Sequence, residues 1–178
     1  MIRVSCASQT NRNDSYIVSA MNNLEQANAG WEGDLFREKC RQNNLRITPQ
    51  RLVVYRELIE SKDHPSADAV YRRLRRFSPN ISLDTVNRTL LTFQKIGLAH
   101  IVAGSGVPKR FDAILSRHHH FRCLACNRIV DIYSESFDSL HIPADIRRQY
   151  VVISKTVHLE GYCDKCREKD LSGKSISP

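Results

Sequence analysis

The sequence predicts an α+β chain in two parts, a helical N-terminal part ending in a β-hairpin and a C-terminal part of short strands around paired cysteines. Three observations predict it. Apolar residues recur at helical spacing in three successive segments between Thr48 and Gly97. Two strand-like runs, LAHIVA and VPKRFD, follow them, joined by Gly104-Ser105-Gly106. From His118 on the pattern changes to HFRCLA, RIVDIY and YVVISKTVHLEGYC, interrupted by the pairs Cys123/Cys126 and Cys163/Cys166. Helices followed by a glycine-tipped hairpin read as a winged helix-turn-helix.

The elements follow in order. Residues 1–33 are rich in Asn, Ser, Gln and Ala, and no packed element is compelling there, so they read as a flexible extension. A helix begins near Asp34, with Leu35, Phe36 and Cys40 on its apolar side, and ends near Asn43-Asn44. Thr48 caps the next helix, and Pro49 in its first turn loses no hydrogen bond. Leu52, Tyr55, Leu58 and Ile59 line its apolar face. Asp63-His64-Pro65 breaks it, because the residue before proline is pushed out of the helical region. Ser66 caps a helix with Ala67, Val70, Tyr71, Leu74 and Phe77 on one face and Arg72, Arg73, Arg75 and Arg76 on the other. Ser82 caps a third, which Gly97 closes. Val86, Leu90, Phe93 and Ile96 line one side of it, and Thr85, Arg88, Thr92 and Lys95 the other. One short helix around Ser136–Leu140 interrupts the later strands.

These boundaries give an extension at 1–33, a winged-helix domain at 34–112, a hinge at 113–117, an α/β domain at 118–170 and a tail at 171–178. Charge is partitioned in the same way. Residues 34–112 hold fifteen Lys/Arg against eight Asp/Glu, whereas residues 1–33 hold two against three and residues 113–178 ten against eight. The basic excess of the middle segment points to a polyanion partner, double-stranded DNA read by the third helix, with Arg88 placed for a guanine edge or a phosphate. No window holds the ~18 uninterrupted apolar residues of a membrane span, and the N-terminus lacks a signal peptide's apolar stretch. The chain reads as cytoplasmic, where its six cysteines are metal ligands or thiols rather than disulfides. Cys6 and Cys40, without a CxxC partner, read as incidental thiols.

Two kinds of ligand chemistry crowd the C-terminal half. Four thiolates from two CxxC knuckles suit a structural zinc, the second knuckle following 36 residues after the first. Asn127 stands where a glycine would turn the first knuckle, and Asn tolerates the left-handed conformation. Asp112, His118, His119, His120 and Asp131 form a harder set of imidazoles and carboxylates that suits iron, manganese or zinc. On a strand His119 alternates to the opposite face from His118 and His120, and it reads as a surface residue.

From about Asn44 to Cys166 the chain resembles the ferric uptake regulator family of metal-dependent repressors, most closely its peroxide-sensing type. The resemblance rests on HPSADAVYRRL, PNISLDTVNRTL, KRFD, HHHFRCLACNRIVDI and HLEGYCDKC, in the family's order. It implies a C-terminal α/β dimerisation domain and a homodimer that binds an AT-rich palindrome and not a membrane. It further implies a regulatory Fe(II) or Mn(II) site made of His64, Asp112, His118, His120 and Asp131, alongside zinc on Cys123, Cys126, Cys163 and Cys166. Asp112, where iron-sensing members carry Glu, implies peroxide sensing, with His64 and His118 as the oxidised residues. Three departures stand out. Asn87 replaces the family's recognition-helix Tyr, which implies altered base contacts; the expected DNA contacts are Thr85, Asn87, Arg88, Thr92 and Lys95. An extra metal site of iron sensors is broken, since Arg117, His119 and Lys155 fall where its ligands would be and only Asp138 remains. Residues 1–33 have no counterpart.

The rival readings are an iron-responsive repressor, a zinc hydrolase and a zinc-ribbon interaction module. A hydrolase needs an open coordination position and a base near the bound water, and no HExxH or HxE…PCxxC is present. A zinc ribbon leaves His64, Asp112 and the HxH unassigned. The expectation is a repressor and not an enzyme.

Overall fold

The computed structural model describes residues 3–5, 31–102 and 108–170. The chain divides into two compact units, with the division between Leu115 and Ser116. The unit before the division is described from Trp31 on. The unit after it includes Arg3–Ser5 from the N-terminus.

In the first unit the helices are α1 (Trp31–Gln42), α2 (Pro49–Glu60), α3 (Ala67–Leu74) and α4 (Leu83–Lys95). Three of them start where a hydroxyl replaces the missing intrahelical acceptor. Thr48, Ser66 and Ser82 accept from the N–H groups of Arg51, Ala69 and Thr85 respectively. α4 ends because Gly97 takes φ +72°, which lets the Leu98 N–H return to the Phe93 carbonyl at 2.8 Å. α1 starts three residues earlier than the Asp34 expected from sequence.

The core of this unit is built on Phe36, Tyr55 and Phe93, whose ring centroids lie 4.9 to 5.8 Å apart. Val54, Leu58, Val70, Leu74, Val86 and Leu90 fill the space around them. Cys40 lies in the same core, and burial pushes its thiol up. The apolar spacing of α2 overlooked two buried residues, Val54 and Glu57. Glu57 stays inside because Arg73 of α3 reaches it, with Nη1 3.3 Å from Oε1. Arg73 is thereby withdrawn from the solvent-facing row in which sequence placed it. The wing strands β2 (His100–Val102) and β3 (Arg110–Asp112) pair antiparallel, His100 opposite Asp112. The expected Gly104-Ser105-Gly106 connection lies outside the described residues.

The second unit holds a four-stranded sheet in the order β1-β5-β4-β6, with β1 (Arg3–Ser5), β4 (His119–Cys123), β5 (Ile129–Tyr133) and β6 (His158–Gly161). β4 and β5 form an antiparallel hairpin, and β6 runs parallel to β4. Gly161 lets β6 come close, since a Cβ there would stand 3.3 Å from the Phe121 ring. Three short helices, α5 (Glu135–Asp138), α6 (Ala144–Gln149) and α7 (Asp164–Asp170), complete the unit.

Two sequence expectations change here. Arg3–Ser5, assigned to an extension without packed elements, pairs with β5, Arg3 opposite Tyr133 and Ser5 opposite Asp131. The long strand expected over Tyr150–Cys163 shrinks to His158–Gly161. Val151 and Ile153 are 87% and 88% exposed, since a β-branched run needs a neighbouring strand to become one.

Candidate metal centres and nucleic-acid interface

The four-cysteine cluster grows directly out of strand pairing. The β4–β5 hairpin turns through Cys123–Asn127, and Asn127 takes φ +55°, the conformation expected of it. The Asn127 N–H closes the knuckle on the Cys123 carbonyl at 2.9 Å. Parallel pairing sets Cys123 beside Gly161, so the chain leaving β6 delivers Cys163 to the same knuckle. The four sulfurs lie within 4.8 Å of one another. The Cys126 and Cys163 sulfurs are 3.8 Å apart. Thiolates about 2.3 Å from a zinc ion stand about 3.8 Å apart at the corners of a tetrahedron, so the donors fit zinc in type and spacing. Burial alone would raise the Cys123 thiol, yet the N–H groups of Cys126 and Cys163 directed at it bring it down to about 6. Cys166, hydrogen-bonded to Cys163 and partly desolvated, is pushed up to about 12. An Arg128–Asp164 ion pair clips the two knuckles together.

At the other end of the hairpin stand His118, His120 and Asp131. His118 and His120 are two residues apart and share a face, and His120 is the cross-strand partner of Asp131. The His118 and His120 Nε2 atoms are 3.0 Å apart, and Asp131 Oδ1 lies 3.8 and 3.6 Å from them. All three side chains are buried. His118 Nδ1 faces the Ser116 carbonyl at 2.8 Å, which turns Nε2 toward its neighbours.

His119 is not the surface residue that alternation suggested. It is 1% exposed, packed edge-on against Phe137, and its Nδ1 accepts the Val157 N–H at 3.1 Å. Alternation placed it on the opposite face from His118 and His120; Phe137 of α5 and the Val157 backbone, invisible to strand periodicity, pack against it there. Asp138 stands 3.5 Å from its Nε2, and Arg117 stands 3.7 Å from Asp138.

The first unit carries its own histidine–carboxylate pair. His64 and Asp112 are both buried, with His64 Nε2 3.9 Å from Asp112 Oδ2. The Ile114 N–H donates to Asp112 Oδ1 at 2.8 Å. Imidazole and carboxylate donors 3 to 4 Å apart in each unit suit a borderline divalent ion such as Fe(II), Mn(II) or Zn(II).

On α4, Asn87, Arg88 and Lys95 are exposed and Thr85 and Thr92 half-buried. Arg88 is 78% exposed and pairs with Asp84 one turn earlier at 2.9 Å. Thr92 donates its hydroxyl to the Arg88 carbonyl at 2.8 Å, and Thr85 shares a hydrogen bond with Ser82 at 2.9 Å. A basic helix-turn-helix with a wing, followed by an α/β unit whose histidines, carboxylate and cysteines could hold metal ions, fits the class of metal-responsive DNA-binding regulators.

The chain belongs to the ferric uptake regulator family, whose sequence model matches residues 42–162. It is 33% identical over 129 residues to the peroxide-responsive repressor PerR of Staphylococcus epidermidis, covering 72% of this chain and 86% of that one. Its fold is similar to that of the Helicobacter pylori ferric uptake regulator, with a TM-score of 0.66 at 22% identity over 82% of this chain and 94% of that one. The Francisella tularensis ferric uptake regulator with iron follows, with a TM-score of 0.60 at 22% identity over 69% and 95%. The fold is therefore that of ferric uptake regulators, an N-terminal winged helix followed by a C-terminal α/β unit. Among the described residues no helix is long and apolar enough to cross a membrane.

Proposed function

We propose that this regulator is a homodimeric repressor that binds an AT-rich palindromic operator with Fe(II) or Mn(II) as corepressor and responds to peroxide. The observation that carries this reading is a buried histidine–carboxylate group in each unit, His64 with Asp112 and His118 with His120 and Asp131. One ion bound by all five residues would tie the DNA-binding unit to the dimerisation unit. Without it the DNA-binding pose is one of several, and operator affinity falls by the populated fraction. Cys123, Cys126, Cys163 and Cys166 hold a structural zinc. Thr85, Asn87, Arg88, Thr92 and Lys95 face the operator.

Sequence similarity to peroxide-responsive repressors and the Asp at position 112 both support the sensing chemistry. Bound iron supplies the reduction of peroxide. The ligand imidazoles of His64 and His118 are the oxidisable groups held closest to it. One peroxide oxygen is inserted at a ring carbon and the other leaves as water, the ring losing the two electrons that peroxide gains. An oxidised His64 or His118 ring would be a poorer ligand, so the site would hold its metal less tightly and repression would be relieved.

The test treats Fe(II)-loaded and Mn(II)-loaded protein with low micromolar peroxide and follows DNA binding alongside peptide masses. The expected result is one added oxygen on the His64 or His118 peptide and loss of DNA binding in the iron form alone. Unmodified histidines with repression intact overturn peroxide sensing and leave an iron-responsive repressor.

A further inference from the structure

Deepening the metal-site reading above and resting on it, the geometry points to Arg110 as a positioning residue that holds the ligand His64 in a backbone conformation it would otherwise leave. His64 has φ +48°, the left-handed region that side chains with a Cβ rarely enter. Pro65 follows it directly, and a residue before proline is restricted further. Such a conformation persists only where its surroundings over-determine it.

Those surroundings are found within the first unit. The guanidinium of Arg110 donates through Nε to the His64 carbonyl and through Nη2 to the Asp63 carbonyl at 2.6 Å. Its two donors thus grip the carbonyls on either side of the His64 Cα, in the two peptides whose relative orientation sets its φ and ψ. The Phe111 N–H donates to the Pro65 carbonyl at 3.0 Å, and Ser66 bridges to Arg110, so the turn lies along β3. From the other side Arg73 holds the Asp63 carboxylate while also donating to Ser61 Oγ at 3.0 Å and to buried Glu57.

The alternation of β3 makes this grip useful. Arg110 and Asp112 are two residues apart and share a face, while Phe111 points into the core. The face that clamps the His64 carbonyl therefore also presents the carboxylate that its imidazole meets at 3.9 Å. A lysine at 110 would keep the charge but could not fork across two carbonyls.

The experiment uses the full-length, zinc-loaded chain and measures Mn(II) affinity by calorimetry beside zinc content and apo-protein melting. Arg110→Met is expected to weaken Mn(II) binding about tenfold or more, as loss of a group that orients a ligand does, with zinc content unchanged. Arg110→Lys should restore only part of it. In a His64→Ala background Arg110→Met should cost nothing more, because no ligand remains to position. If Arg110→Met does not fold, the Arg110→Lys series carries the same comparison. Unchanged Mn(II) affinity in the folded Arg110 variants, or a full further loss in the His64→Ala background, overturns the positioning role. If His64→Ala and Asp112→Ala themselves leave Mn(II) affinity unchanged, the regulatory-site reading fails instead, and the positioning role with it.

Discussion

His120 and Asp131 stand directly opposite each other on β4 and β5, with Nε2 3.6 Å from Oδ1. Eleven positions apart in sequence, they meet because the Cys123–Asn127 turn folds one strand back on the other. A one-residue slip of that register would send the two side chains to opposite faces. Asp131→Ala should therefore lower Mn(II) affinity by at least the roughly tenfold that loss of an outer-shell partner costs. Calorimetry on the zinc-loaded dimer checks this, and unchanged binding would remove Asp131 from the ligand set.

The same hairpin links the two metal sites, since the cysteine knuckle at its tip sets the register of the histidines at its base. Cys126→Ser is expected to lose zinc and to weaken the dimer. Because structural zinc contributes directly to folding of the unit that carries it, Mn(II) affinity should fall as well. Metal analysis, ultracentrifugation and Mn(II) titration of one preparation decide it. Full zinc content with an intact dimer would sink the assignment.

Much of this was legible in the sequence. Hydroxyl caps at Thr48, Ser66 and Ser82, and the left-handed positions Gly97 and Asn127, follow from local chemistry that tertiary packing did not override. The CxxC spacing and the His118/His120 alternation led to the clustered sulfurs and the paired imidazoles for the same reason. The grip of Arg110 on the His64 carbonyl was not legible, because it joins residues 46 positions apart through a backbone atom that has no sequence signature. The same holds for buried Glu57, whose partner Arg73 looked like one arginine among four. The overlong final strand failed differently. β-propensity describes how well a residue fits a pleated surface, and Tyr150–Ile153 have no strand beside them among the described residues.

Phe93 should carry much of the stability of the DNA-binding domain. It is fully buried and meets Phe36 and Tyr55 edge-on, so alanine leaves a cavity between three helices. Phe93→Ala is expected to cost about 3–5 kcal/mol. Denaturant unfolding followed by helical circular dichroism measures it. A loss below about 1 kcal/mol would mean that the ring cluster collapses around the gap.

Arg88 presents the sharpest question about DNA. Its guanidinium is held 2.9 Å from Asp84 on the exposed side of α4, so operator binding must compete with that ion pair. Exposed pairs of this kind are worth under about 1 kcal/mol, whereas a bidentate base contact contributes roughly 1–3 kcal/mol. The contact should therefore win, and Arg88→Ala should weaken operator binding several-fold with Mn(II) affinity unchanged. Asp84→Asn should strengthen binding modestly, because it frees Arg88 and removes a negative charge from the face proposed to meet the DNA. Salt titration separates the two possible roles. Loss of a phosphate contact lowers the salt slope by about one and weakens binding to all sequences alike, while loss of a base contact relaxes specificity at one position. Unchanged operator binding by Arg88→Ala at moderate salt would show that another face of α4 meets the DNA.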